Sequence, residues 1–366
     1  MITAFNLSES RKIKISKLWN YGIVFIISVL LTIVLSRDSI ILEQKPQDIK
    51  IVSDKLEYFS EHKDEFNTIF LGSSQTYRQV IPSVFEESMK VQGHEIKAFN
   101  FGIPGLNLTE AKFYLEKILA LQPKNLNWLF IEYIEGLDVK PENFLANREI
   151  YWHNLENTLT VSRLIWESNF RLSKKIQLTL HNFIPFTHHM FRSGQGAQLI
   201  QTRLNHPPKQ QKTVEGLGEF KDGHISLDEE NKKYLLEAHR KFVNNVEDYS
   251  RKVERLKDRI AKPRPNLFSP HATQVISKMI ASVKSQNIEP IFFISSIFWP
   301  QEATIAAYEQ GYIPTLFQFN DPYQYPSLYQ HQNRFDTDYL NREGAKELTE
   351  LLAKKFASHL QEKIVE

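Results

Sequence analysis

Short apolar runs recur along two parts of the chain and predict buried strands. The clearest runs are residues 69–71, 128–134 (Glu132 excepted) and 291–298, and residues 95–99 predict a further strand. Strands that are apolar throughout are typical of a sheet whose two faces are both covered.

Amphipathic stretches between these runs predict helices. A capping-box pattern, Ser83 to Glu86, starts one of them. Others are predicted at 51–66, after Asn107, at 275–283 and from about 345 to 360. Because strands alternate with helices, the chain is predicted to be α/β, a three-layer sandwich around a parallel sheet.

The middle of the chain, about residues 140–270, breaks this alternation and is predicted as a largely helical insertion. Within it, apolar positions spaced by four and three residues form a heptad seam over 235–260. The seam predicts one long helix, which packs within its own chain or against a second copy in a homodimer. Its members are Leu235, His239, Phe242, Val246, Tyr249, Val253, Leu256 and Ile260.

The longest apolar run lies near the N-terminus. Residues 18–36 follow a basic tail, residues 1–17, and span about 28 Å as a helix, close to the thickness of a bilayer core. A cleaved signal peptide and a buried soluble helix are the alternatives. The tail predicts a cytoplasmic N-terminus, a single transmembrane anchor, a linker at 37–50 and an extracytoplasmic domain at 51–366, periplasmic or on the cell surface.

Composition excludes several classes of function. A net charge of +2 gives no electrostatic basis for binding nucleic acid. The absence of cysteine removes disulfides, thiolate metal sites and a cysteine nucleophile. His188 and His189 are adjacent rather than spaced along one helix face, so we predict no metal site, and no cofactor.

Three loops fall where predicted strands end. They are Gly72-Ser73-Ser74, the stretch from Asn100 to Gly105, and the stretch from Asp336 to Ala345. The carboxyl ends of parallel strands meet at one edge of a sheet, where a serine can be presented beside backbone N–H groups. A tight turn between strand and helix is the structural alternative for Gly-Ser-Ser.

The order and spacing of these loops resemble the SGNH/GDSL hydrolase superfamily, over roughly residues 65–140 and 270–360. The resemblance implies that Ser74 is the nucleophile, that the N–H groups of Ser74 and Gly105 form an oxyanion hole, and that Asp336 orients the base. Such a set performs acyl transfer.

Two positions depart from the family pattern. Tyr339 stands where the family has its catalytic histidine, and Gly136 or Leu137 falls near the place of an oxyanion-binding asparagine. At neutral pH only about one in a thousand tyrosine side chains with a pKa of about 10 is ionised, so Tyr339 cannot simply replace imidazole. Histidines that substitute for it would have to come from elsewhere in the chain, and the candidates are His331, His153, His188, His189 and His271.

The anchored topology is similar to that of envelope polysaccharide O-acylation proteins, which work beside a membrane-bound O-acyltransferase. This resemblance implies a serine-dependent acyl-esterase or O-acyltransferase acting on cell-surface polysaccharide. The alternative is an inactive SGNH-like module that binds glycan or the membrane partner. Gly102, Tyr323 and Tyr325 are further candidates for substrate binding, the tyrosines by stacking on sugar rings.

Overall fold

The computed structural model describes residue 24, residues 50–132, residue 143, and residues 146–191, 216–262, 269–299 and 301–365. The predicted basic tail and membrane anchor, Val24 apart, lie outside these residues, and so do the linker up to Lys50 and the pair Gly136 and Leu137. Across the described ranges, no helix combines the length and the apolar character needed to cross a membrane.

A five-stranded, all-parallel sheet forms the centre of the molecule. Its strands are β1 (Thr68–Gly72), β2 (Ala98–Gly102), β3 (Trp128–Glu132), β4 (Glu289–Ile294) and β5 (Leu316–Gln318), in the order β2-β1-β3-β4-β5. β2 lies on one side of β1, and β3 lies on the other side. The carboxyl ends of β1 and β3 therefore flank the point where the strand order reverses, which is where open α/β sheets bind ligands.

Helices cover both faces of the sheet, as the alternation of its side chains requires. Ile69 and Leu71 lie in one apolar core and Phe70 in the other, all of them fully buried. The first core is closed by α1 (Lys50–His62), α4 (Leu108–Ala120) and α10 (Pro270–Lys284). The second is closed by α3 (Pro82–Val91) and α12 (Arg342–Val365). Between β4 and β5 lies α11 (Glu302–Glu309). The predicted α/β fold with a parallel sheet is confirmed.

Most of the described residues between β3 and β4 are helical, but residues 216–232 form an irregular segment with one short 3-10 turn, Leu227–Glu229. The helices are α5 (Asn147–Trp152), α6 (Leu155–Glu167), α7 (Leu172–Phe191), α8 (Lys233–Val243) and α9 (Val246–Ile260).

The heptad seam does not form one long helix, which corrects the sequence prediction. It is divided at Asn244 and Asn245 between α8 and α9. Its buried members, Phe242, Tyr249 and Leu256, pack against their own chain. These three members are covered within one copy, whereas Val246 is half exposed. A homodimer through residues 235–260 stays a prediction.

Several strand boundaries also differ from those predicted. β2 begins at Ala98 and continues through Asn100 to Gly102, and β4 ends at Ile294. Asn100 is tolerated in a fully buried strand because its amide nitrogen donates to the carbonyl oxygens of Thr76 and Val80, both at 2.7 Å. β5 has three residues, too few to give a pattern in the sequence.

Candidate functional site

The two serines after β1 have different structural roles. Ser73 is the N-cap of a short helix, α2 (Ser74–Gln79), and its Oγ accepts a hydrogen bond from the N–H of Gln75 at 3.1 Å. Ser74 begins the helix and remains partly exposed. The second serine of Gly-Ser-Ser is thus the one available for chemistry, as the resemblance implies.

Glu132, the last residue of β3, holds this turn in place. Its buried carboxylate accepts four hydrogen bonds, from the N–H and hydroxyl of Ser73 and the N–H and hydroxyl of Thr76. Burial raises the pKa of Glu132, while the hydrogen bonds from Thr76 and Ser73 act to lower it. Gly72 has to be a glycine because a Cβ there would overlap both Thr76 and the Glu132 carboxylate.

Tyr339 meets Ser74 across the site. Its phenol Oη lies 2.8 Å from Ser74 Oγ and donates a hydrogen bond to it. The two residues are 265 positions apart in the sequence. The structure therefore places Tyr339 beside the serine, in the position relative to it that a catalytic histidine would need.

The environment of Tyr339 keeps its phenol protonated. Burial raises the pKa of Tyr339, the hydrogen bond with Ser74 acts to lower it, and the nearby carboxylates of Asp338 and Asp336 raise it further. A phenol whose pKa is above its ordinary value does not remove a proton from serine at neutral pH. The pair is therefore a set of hydroxyl hydrogen-bonding groups and lacks a base.

Asp336 shapes the loop that carries Tyr339. Its Oδ1 accepts hydrogen bonds from the N–H groups of Asp338 and Tyr339, both at 2.8 Å. The side-chain amide of Gln75, on α2, donates to the carbonyl oxygen of Asp338 at 3.1 Å. The carboxylate thus fixes the backbone under Tyr339, whereas in the resemblance it would orient an imidazole.

Arg334 also supports this loop, and no pattern in the sequence indicated it. The side chain is almost fully buried and donates to the carbonyl oxygens of Ser296, Leu328 and Thr337 at 3.0–3.2 Å. Its guanidinium lies over the ring of Phe298, 5.0 Å from the centroid. It is a positioning residue for the Asp336–Tyr339 loop.

Gly105 lies in the loop after β2, beside β1. Its φ of +71° is in the left-handed region, which a glycine adopts without strain. Arg148, on α5, donates to the carbonyl oxygen of Pro104 and forms a two-pronged ion pair with the buried Glu110, at 2.5 and 2.6 Å. The insertion therefore helps to hold the proposed oxyanion loop.

The other residues predicted to bind substrate are placed differently from one another. A Cβ on Gly102 would overlap the backbone of Tyr77, so this glycine allows helix packing and does not face a ligand. Tyr325 is buried against Phe319 and has no ring face open to solvent. Tyr323 is exposed, with Lys257 5.5 Å from its ring centroid.

No histidine in the described ranges is hydrogen-bonded to Ser74. The candidate bases make their contacts elsewhere, and His188 adjoins His189 on α7. The contacts are Phe242 for His331, Asn182 for His153, Ile150 for His189 and Glu167 for His271. The described residues likewise contain no cluster of three or more groups able to hold a metal ion.

Residues 216–230 pack against α2 and help to hold it in place through Lys55 and Arg78. We refer to these contacts as the clamp. The buried Lys55 ammonium donates to the carbonyl oxygens of Asn100 and Gly223, both at 2.7 Å, and lies 4.5 Å from the centroid of the Tyr77 ring. Burial lowers the pKa of Lys55 well below its ordinary value. Arg78 covers the same ring at 4.5 Å and donates to Ile225, so α2 is fixed from both sides.

This clamp is expected to make stability depend on pH through His224. Burial lowers the pKa of His224 to about 4 from its ordinary 6.5. A depressed histidine pKa means that stability is present above pH 6.5 and is lost as the pH falls toward 4, because only the unfolded chain binds the proton. The loss is at most about 3 kcal/mol.

Urea unfolding of the wild type and of His224→Gln between pH 7.5 and 4 measures this effect. Asp222, whose pKa burial raises to about 6, shifts stability in the opposite direction, so the difference between the two proteins is the quantity to follow. The wild type should lose stability relative to the variant as the pH falls. Parallel curves would refute the assignment.

The sequence indicated Ser74, Tyr339, Asp336 and Gly105 as site residues and missed Glu132 and Arg334. Glu132 could have been found from the sequence, since it is a carboxylate within an otherwise apolar run.

Comparison with protein-family models and with curated proteins finds no match to this sequence.

Proposed function

We propose that this chain is a non-hydrolytic, SGNH-like module that binds O-acylated cell-surface polysaccharide at Ser74. The observation that carries the proposal is the hydrogen bond from a protonated Tyr339 to Ser74 Oγ. The polysaccharide class comes from the resemblance of the sequence to membrane-anchored O-acylation proteins. The same resemblance supports a membrane-bound O-acyltransferase as a second partner.

The chemistry of the pair suits recognition of a hydroxyl-rich, acylated ligand. Because Tyr339 donates to Ser74 Oγ, the serine proton is free to donate to a carbonyl oxygen of a bound ester. With Tyr339 as its hydrogen-bonding neighbour and no histidine of the described ranges beside it, the serine stays protonated and can bind the ester without attacking it. Glu132, Asp336 and Arg334 hold these hydroxyls in fixed positions, which lowers the entropic cost of binding.

A second candidate function is the acyl-esterase or O-acyltransferase. It is favoured by the position of Ser74, at the first turn of a helix beside the switch point of the sheet, with Gly105 in the loop after the adjacent strand. For this function a base would have to come from outside the described residues, for example from a partner protein, because a removed base costs on the order of ten-thousandfold in rate.

Labelling with a fluorophosphonate probe separates the two functions. We expect no labelling of Ser74 in the wild type. Tyr339→His places an imidazole beside the serine and is expected to raise Ser74-dependent labelling and ester hydrolysis at least about tenfold, a small part of what a base is worth. The matched control is the double variant with Ser74→Ala. Labelling of the wild type that Ser74→Ala abolishes would reject the binding module in favour of the enzyme.

Binding is tested directly with Tyr339→Phe, which removes one hydroxyl and keeps the ring. Its affinity for an O-acetylated polysaccharide, measured by calorimetry, is expected to fall about tenfold, the value of one well-placed hydrogen bond. The same polysaccharide after chemical deacetylation should bind the wild type and the variant equally weakly. Equal binding of the acetylated and deacetylated forms by the wild type would contradict the proposal.

A further inference from the structure

The helical hairpin formed by α6 and α7 exposes apolar side chains around its turn. Trp166, Phe170, Leu172 and Ile176 are each more than two-fifths exposed. The four residues lie within eleven consecutive positions, and the Lys175 ammonium donates to the carbonyl oxygen of Trp166, which ties the two helices together at this end. We refer to these four residues as the hairpin tip.

The charge around the hairpin tip is positive. Arg163, Arg171 and Lys174 are exposed beside it. The hairpin has only two acidic residues, and both are used by the body of the domain. Glu156 pairs with Lys112 and Lys278 at 3.3 and 3.4 Å, and Glu167 accepts from Ser269 and His271 at the start of α10.

We propose that the hairpin tip inserts into the headgroup region of an anionic lipid bilayer. Apolar side chains that include a tryptophan, flanked by exposed cations, are the composition of surfaces that lie about 5–10 Å deep in the membrane interface. Each cation near an anionic leaflet adds electrostatic attraction between the protein and the membrane. Charge complementarity therefore selects a lipid surface as the occupant.

The N-terminal part of the sequence supplies a second reason. If residues 18–36 span a membrane, the 13 residues 37–49 connect the bilayer to α1 and reach at most about 45 Å when fully extended. A domain of this size is then held permanently next to lipid. The tip would add a second attachment to the first, fixing which side of the domain faces the membrane.

The absence of cysteine allows a direct test with single-cysteine variants of the full chain. Leu172→Cys and Ile176→Cys carry an environment-sensitive nitrobenzoxadiazole dye, and Val91→Cys, which is 84% exposed on α3, is the matched control. The protein is reconstituted in vesicles containing about one-third phosphatidylglycerol. Vesicles with and without nitroxide-labelled lipid are compared.

We expect nitroxide lipid to lower the emission at both tip positions on the order of twofold, the result for a label in the interface, with no change at Val91→Cys. Neutral phosphatidylcholine, or the pair Arg171→Glu and Lys174→Glu, should reduce the quenching. Emission typical of water at the tip would overturn the proposal. Emission that is shielded but not quenched would also overturn it, since another segment of the chain or a second copy would then cover the tip.

Discussion

Replacing Glu132 with alanine is expected to lower the free energy of unfolding by about 3–5 kcal/mol, the range for breaking a buried hydrogen-bond network. The substitution leaves the N–H and hydroxyl groups of Ser73 and Thr76 without their buried acceptor. It also releases the turn that presents Ser74. Urea unfolding at pH 7.5 measures the change in stability, and binding of acetylated polysaccharide measures the change at the site.

Glu132→Gln is the matched control. The amide keeps the shape of the side chain and one acceptor oxygen, and its NH2 can donate to the Ser73 hydroxyl, which is able to accept. Because burial raises the pKa of Glu132, its charge is unfavourable there, and an uncharged isostere should cost at most about 1 kcal/mol. If glutamine and alanine were equally destabilising, the carboxylate would act through its charge and our account of the turn would be wrong.

Replacing Arg334 with methionine is expected to cost about 3–4 kcal/mol, because several buried carbonyl oxygens lose their donors at once. The carbonyl oxygens of Ser296, Leu328 and Thr337 belong to three separate segments that Arg334 joins. Without it, the Asp336–Tyr339 loop should lose its fixed geometry. Arg334→Lys is expected to rescue only part of the loss, since one ammonium cannot reproduce the planar fork of a guanidinium.

The exposed Arg342 provides the comparison for Arg334. Its ion pair with Glu229 is at the surface, so Arg342→Gln should change stability by no more than about 0.5 kcal/mol. Urea midpoints of the three variants, at unchanged slope, give the ranking. An effect of Arg334→Met as small as that of Arg342→Gln would show that the buried guanidinium is not what holds the loop.

The fold could be predicted from the sequence where the spacing of apolar residues reflects which positions are buried. The runs around Phe70 and Phe130 are continuous because helices cover both faces of the sheet, and this is visible in the sequence. The sequence pattern did not show that the heptad seam belongs to two helices, because the spacing of apolar residues continues through Asn244 and Asn245. Only the preference of consecutive asparagines for turns marks the break.

At the site, the sequence predicted that Ser74 and Tyr339 lie together, and the structure places their hydroxyls 2.8 Å apart. The predicted strand end just before Asp336 is wrong, because the preceding strand, β5, ends at Gln318 and short 3-10 turns follow it. The sequence could not reveal that Asp336 binds backbone N–H groups, because that depends on the local path of the loop. Arg334 was hidden for a similar reason. Arg334 binds backbone carbonyl oxygens, which every residue has, so no residue type in the sequence indicates its partners.

The distance in sequence between Ser74 and Tyr339 has a consequence for how the protein is made. The first of them is synthesised 265 residues before the second, and α12, which covers Phe85 and Phe130, is the last of the described helices to be made. Until that helix arrives, this face of the sheet is covered by α3 alone, and the emerging chain exposes aromatic residues prone to aggregation. Folding that closes so long a loop is slow, and the loss of only a few turns from the C-terminus should leave a chain that cannot complete its core.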